Sequence, residues 1–350
     1  MQSNMTDHSP PPRPALSGVR HVALSLVLAI FTAWPGAVGA DAPVLSLPLD
    51  CDPGRSCWLV NLVDHDPGPG ATDYRCGRLS YDTHKGTDFA IANDAVMHKG
   101  VHIRAAAPGR VLRVRDGVPN STPADLESAT ALRGRECGNG LVIDHGDDWT
   151  TQYCHMQASS LRVRPGDAVA RGDILGDIGR SGRSEFPHIH IAVRQGTRVI
   201  DPFTGDSNMN TCAVNAPARN LWAPDLQEKL AYPGPQPFHL GFATGVPKKS
   251  AIEAGQLGQT RFAADAPALV FWTEVFSLEK GDRITLSLQG PDSKPVADNR
   301  IVIDRPLAKW HGFVGRKKRG ADWVSGSYTG RVMIERGTVQ IEKSTAATVE

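Results

Sequence analysis

The reading of this chain turns on VRPGDAVARGDILGDIGRSGRSEFPHIHIAV, residues 163–193. Glycine recurs every few positions, which suits tight turns between short strands. Gly179, Ser181 and Gly182 then lead into PHIHIAV, an alternating stretch that reads as a β-strand. In a strand, residues two apart point to the same face. His188 and His190 can therefore face one cleft while Ile189 turns into a core. Two upstream pieces complete a set of metal-ligand types: HKGTD at 84–88, with His84 and Asp88 four apart, and YCH at 153–155. Imidazole and carboxylate suit Zn²⁺, and three protein ligands with one open position is the pattern of a catalytic site.

Taken singly, each piece is weak, since HxH and HxxxD occur on many surfaces. The surrounding frame changes this. HKGTDFAIA is followed by VHIRAAAPGRVLRV, CGNGLVIDHGDDWTTQYCHM and the 163–193 stretch. This order resembles the lysostaphin/LytM-type zinc endopeptidases, whose domains read HxGxD, a GxG(N)xVxIxHG hairpin, YxHL, a GDxVxxGxxIGxxGxSG stretch and PHLHF. The resemblance covers roughly residues 80–195. Met156 stands where the family usually has Leu, and HIHI replaces HLHF; both are apolar exchanges.

The resemblance implies a duplicated-hybrid-motif fold, one Zn²⁺ per chain held by His84, Asp88 and His190, and two catalytic histidines, His155 and His188, lining the same cleft. One of these can take a proton from the attacking water and pass it to the leaving amine. The other can hydrogen-bond to the developing oxyanion. Which does which is open at this stage. The implied activity is a secreted zinc metalloendopeptidase that hydrolyses peptide cross-links of bacterial peptidoglycan, with its peptide stems as partners. The alternative is a non-catalytic LytM-like regulator or wall-binding protein that activates another hydrolase; such a protein should lack one of the five residues.

The expected fold class is mainly β: a twisted antiparallel catalytic sheet with a second, smaller β-sandwich-like domain. Residues 1–40 read as a signal peptide, with Arg13 and Arg20 before the apolar run Val22–Trp34 and small residues at Val38-Gly39-Ala40. The run is shorter than the roughly 20 residues that span a bilayer, so no membrane span is expected in the mature chain. Export, to a periplasm, agrees with six cysteines and no CxxC pair, a composition that favours disulfides. Sequence does not choose their pairing. Cys154 should face away from the cleft that His155 faces.

The 350-residue chain has room for two domains, and a formal net charge of +1 gives no reason to expect nucleic acid. The peptidase domain is expected over 41–212, with an insertion at about 115–138 in which PADLESATALRG favours a short helix. The zinc site should lie wholly within 41–212, although residues 41–76 could cover the groove. Asp64, His65 and Asp66 tempt a second metal site, but adjacent loop residues rarely converge on one ion. His145 reads as structural, and His98, His102, His239 and His311 have no partner at ligand spacing. A Pro/Gly-rich linker is expected over 213–250. Alternation returns in ALVFWTEVF, RITLSLQG and GSYTGRVMIER, so an accessory β-domain is expected over 251–350, with Trp272, Trp310, Trp323 and Tyr328 in its core and a short disordered tail.

Overall fold

The computed structural model describes residues 41–128, 130, 132–207, 212 and 219–350. The expected signal segment, 1–40, lies outside the described residues. The protein is built mainly of antiparallel β-sheet.

Ten strands make the N-terminal half: β1 (Trp58–Asn61), β2 (Thr87–Ala90), β3 (His102–Arg104), β4 (Gly109–Arg115), β5 (Asn139–Gly146), β6 (Trp149–Met156), β7 (Ala168–Val169), β8 (Ile174–Asp177), β9 (His188–Gln195) and β10 (Arg198–Ile200). The main sheet runs β1-β2-β9-β6-β5-β4-β7, with β10 on β9, and β3 pairs with β8. Helix α1 (Asp94–His98) is capped by Asn93, whose side chain accepts from Val96 N. Helix α2 (Pro123–Glu127) lies in the expected insertion, opened by a Thr122–Asp125 capping box.

Register places the site. Antiparallel pairing sets Asp88 opposite His190 and Ala90 opposite His188, while Cys154 lies opposite His190 on the other side. The chemistry-bearing residues thus sit on neighbouring strands at one level of the sheet. Ile189 is fully buried in the core beneath.

Three disulfides form: Cys51–Cys57, Cys76–Cys212 and Cys137–Cys154. The last ties β6 to the segment before β5. Cross-strand pairing sets Cys154 directly opposite His190 and so on the same face of the sheet, contrary to the expectation that it turns away, and the disulfide occupies its sulfur.

The C-terminal half holds β11 (Gln236–Ala243), β12 (Arg261–Phe262), β13 (Ala268–Leu278), β14 (Arg283–Gln289), β15 (Pro295–Val302), β16 (Leu307–Lys317), β17 (Gly326–Arg336) and β18 (Val339–Val349). They form two sheets, β11-β13-β16 and β12-β18-β17-β14-β15. The core between them includes Leu269, Phe271, Leu286, Trp323 and Tyr328. Trp272 is buried in a small cluster with Ile252, and Trp310 is only partly buried. The tail expected to be disordered is instead most of β18, a long antiparallel partner of β17. Its polar STAATVE sequence hides the alternation that buries Ala347 and Val349.

The stretch 213–250, read from sequence as a linker, carries α3 (Pro224–Gln227) and β11. Leu221, Trp222, Leu226 and Leu230 pack in the core of the N-terminal half. Pro and Gly around them mask short apolar contacts that have no helical or strand period of their own. Every residue of β13 is buried. One face lines the sandwich, and the other sets Phe276 against a cluster of Trp58, Val60, Ala90 and Phe238.

Candidate active site

HKGTD enters β2 through a tight turn. Gly86 is needed there, because a Cβ on it would come within 2.6 Å of the His190 ring. His84 is 2% exposed and Asp88 1%. His84 Nε2, Asp88 Oδ1 and His190 Nδ1 are 3.1, 3.0 and 2.9 Å apart, pair by pair. The edge of a tetrahedron with ligands about 2.0 Å from its centre is about 3.3 Å, so this trio has the right size for a small tetrahedral cation.

Charge argues the same way. Burial opposes ionisation of Asp88, yet neighbouring His84 and His188 and hydrogen bonds from His190 and His84 hold its pKa well below the ordinary carboxylate value. Its ion-pair partners among the described residues are all histidines. Burial lowers and Asp88 raises the His84 pKa, and the carboxylate wins. A buried carboxylate whose described ion-pair partners are all histidines fits a divalent cation. These three residues form the cluster that could hold a metal ion.

Backbone carbonyls fix the imidazole tautomers, since a carbonyl can only accept. His84 Nδ1–H donates to Leu62 O at 2.6 Å, so in the neutral ring Nε2 is the lone pair aimed at Asp88 and His190, and in the protonated ring Nε2–H donates to Asp88. His155 Nδ1–H donates to Ser181 O at 2.8 Å, and His188 Nδ1–H to Phe186 O at 2.9 Å. Both rings then keep a free lone pair on Nε2. They stand side by side, with centroids 4.6 Å apart. His155 lies 6.0 Å from the His190 ring, and His188 Nε2 is 3.8 Å from Asp88 Oδ2. The structure therefore brings all five residues into one cleft.

His155 has φ of 66°, a left-handed conformation that costs a non-glycine residue energy. Its N–H donates to Cys137 O at 2.8 Å, and Cys137 is tied by disulfide to the adjacent Cys154. Burial, then repulsion from His188 and His190, pushes its pKa well below the ordinary imidazole value. His155 is accordingly neutral and able to accept a proton. Burial likewise leads the downward shift at His190, against the pull of Asp88.

Two nearby residues carry no motif of their own in the sequence. Asn61 Nδ2 donates to Asp88 Oδ2 at 2.9 Å. Its sole signal is an amide inside the apolar run CWLVNLV. The ring of Tyr81 packs 4.4 Å from that of His84. Tyr81 is half exposed, and the low-dielectric surroundings of its inner side together with the charge of Asp88 raise its pKa, so its hydroxyl stays protonated. The 64–66 triplet is engaged elsewhere. Asp64 accepts from the backbone of Asp66, Thr72 and Thr83, and His65 pairs with buried Asp201 at 2.8 Å. His145 bonds Pro108 O and Thr151 Oγ1, away from the cleft.

Residues 82–202 match the model of peptidase family M23, and this segment of the chain belongs to that family. The cell division protein DipM of Caulobacter vibrioides is 31% identical over 118 residues, 33% of this chain and 17% of that protein. The peptidoglycan DD-endopeptidase ShyA of Vibrio cholerae is 35% identical over 74 residues, 21% of this chain and 17% of that protein. The chain thus spans less than a fifth of the length of these two relatives. Among solved structures, the catalytic domain of the prophage-encoded M23 protein EnpA from Enterococcus faecalis is 28% identical, covering 42% of this chain and 90% of that one, with a TM-score of 0.29. No helix among the described residues is long and apolar enough to cross a membrane.

Proposed function

We propose that this protein is an exported zinc metalloendopeptidase that hydrolyses peptide cross-links of bacterial peptidoglycan. The observation that carries the proposal is the conjunction of a cation-sized His84–Asp88–His190 trio with two adjacent imidazoles, His155 and His188, whose Nδ1 protons are each held by a backbone carbonyl. Family membership of residues 82–202 and the DD-endopeptidase activity named for the Vibrio relative support it.

In this reading His84, Asp88 and His190 hold the zinc. A zinc ion bound there supplies Lewis acidity, bringing the pKa of water to about 7 and polarising a carbonyl. The protein's own groups do the rest. Nε2 of His155 or His188 takes the proton of the attacking water and delivers it to the leaving amine. With Nδ1–H held by a carbonyl, a neutral ring at either position accepts a proton at Nε2 before it can donate one. The depressed basicity of His155 keeps it neutral for that step. Asn61 holds the second oxygen of Asp88, which leaves the first for the metal. Tyr81 packs its ring against that of His84.

A regulator without catalysis would not need these five groups in working order, and here their tautomers are set for use. The test is digestion of purified peptidoglycan by zinc-loaded protein, with the new ends identified by mass spectrometry. New amine and carboxyl ends on stem peptides are expected. Intact peptidoglycan after incubation with protein of full zinc content overturns the peptidase reading.

A further inference from the structure

A second pocket lies beside the cleft, where the two halves of the chain meet. Phe186, from the loop before β9, separates the two. Its ring is 5.1 Å from that of His188 on one side, and it lines the pocket on the other. The C-terminal half supplies the remaining walls, from helix α4 (Lys249–Glu253) and from Lys309, Trp310 and His311 of β16. The cavity is about 210 Å³, smaller than the pockets of drug-sized ligands and suited to one residue.

Its charges are unusual for a packing interface. Glu274, in the middle of β13, is 1% exposed. It accepts from His239 at 3.1 Å and pairs with Lys309 Nζ at 2.9 Å. Burial opposes its ionisation, but these partners outweigh it and hold the carboxyl ionised. Lys309 also reaches Glu253 at 3.7 Å and lies 5.8 Å above the Phe186 ring. Apolar side chains would fill such a site with equal or greater stability. The flanking positions on the same face of β13, Trp272 and Phe276, are apolar. The network does more than pack: it fixes Lys309 at the pocket wall, where Lys249 is a second cation, while Glu185 and Glu253 bring carboxylates to the lining, Glu253 within 3.6 Å of Lys249 and 3.7 Å of Lys309. A ligand of one sign meets repulsion from one of these walls, whereas a ligand carrying both signs satisfies each.

We propose that this pocket is a substrate subsite for a residue bearing both an ammonium and a carboxylate, supplied jointly by the Glu185–Phe186 loop and the C-terminal β-domain. The inference rests on the peptidase reading and deepens it. An extended peptide advances about 3.3 Å per residue, so a chain with its reacting carbonyl by His188 presents a residue to Lys309 some three positions away. The C-terminal domain thereby reads the substrate at the cleft itself.

The test uses the full zinc-loaded chain and two small probes: a capped amino acid whose side chain ends in a free ammonium and carboxylate, and the same molecule acetylated and amidated there. Calorimetry should give a dissociation constant about tenfold lower for the zwitterionic probe, the scale of one charged hydrogen bond. Glu253→Gln and Trp310→Ala should each bring the two constants together without changing zinc content. Lys309 is left in place, because its removal strands the buried charge of Glu274 and threatens folding. Equal binding of both probes by the wild type, or a preference that survives both substitutions, overturns the subsite. These are binding readouts, so they decide the subsite even if the same preparation leaves peptidoglycan intact, a result that strikes the peptidase reading alone.

Discussion

The side-chain amide of Asn61 donates to Oδ2 of Asp88 at 2.9 Å, across the β1–β2 pair. The carboxylate is thereby turned so that Oδ1 faces His84 and His190. Supporting hydrogen bonds of this kind typically contribute about 10–100-fold to metal affinity. Asn61→Leu should lower zinc affinity by about that factor in competition with a chelator. Wild-type affinity in a folded Asn61→Leu protein would show that Asp88 needs no such support.

The five cleft residues should separate into two groups by metal content. On the proposed assignment His190→Ala removes a ligand, so both zinc and peptidoglycan hydrolysis should vanish. His155→Ala and His188→Ala should retain zinc and lose about 10²–10⁴-fold in rate, the usual contribution of a general acid or base. Elemental analysis beside the activity assay checks the division. Full zinc in His190→Ala, or lost zinc in the other two, contradicts this division between ligands and proton carriers.

Gly86→Ala tests the turn itself. A Cβ there meets ring carbons and nitrogens of His190 at 2.6–2.7 Å and the carbonyl of Ile191 at 2.6 Å. The ring must swing away, so zinc affinity should fall although no ligand is altered. Undiminished affinity in the chelator assay would mean that the loop relaxes at no cost to His190.

A chain ended near Cys212 should be unstable, contrary to what sequence alone suggests. It lacks Leu221, Trp222, Leu226 and Leu230, which are 1–9% exposed in the core of the N-terminal half. It also uncovers Trp58, Val60 and Ala90, now covered by Phe238 and Phe276. Aggregation on expression, or a collapsed thermal transition by circular dichroism, is expected. A soluble truncation with native zinc content would show that the C-terminal half is dispensable for folding.

Acid should loosen the junction between the halves through Glu274. Its folded pKa lies below the ordinary carboxyl value of 4.5. The unfolded chain therefore takes up the proton first as pH falls. The stabilisation is full above pH 4.5 and is lost as pH drops through the lower, folded value. Urea unfolding of wild type and Glu274→Gln between pH 3 and about 6 checks this. The gap in stability between the two should shrink on acidification, and a constant gap would remove Glu274 from the linkage.

Local spacing made much of the N-terminal half legible in the sequence. Strand alternation sets His188 and His190 on one face and Ile189 on the other, whatever the rest of the chain does. The turn GxD places His84 over β2, and short apolar runs between glycines can only be short strands. Those are properties of neighbouring residues, and a sequence states them directly. What lay further off was decided by the tertiary structure alone. Cross-strand register set Asp88 opposite His190. Carbonyls of Leu62, Ser181 and Phe186 chose the imidazole tautomers, and distance chose Cys76–Cys212 as a pair. Asn61 gained its role because β1 pairs with β2, and the apparent linker became core because Trp222 and Leu230 found partners nearly two hundred residues earlier, around Leu45. Such contacts depend on which surfaces remain apolar after the local elements have formed, and no short window of sequence contains that information.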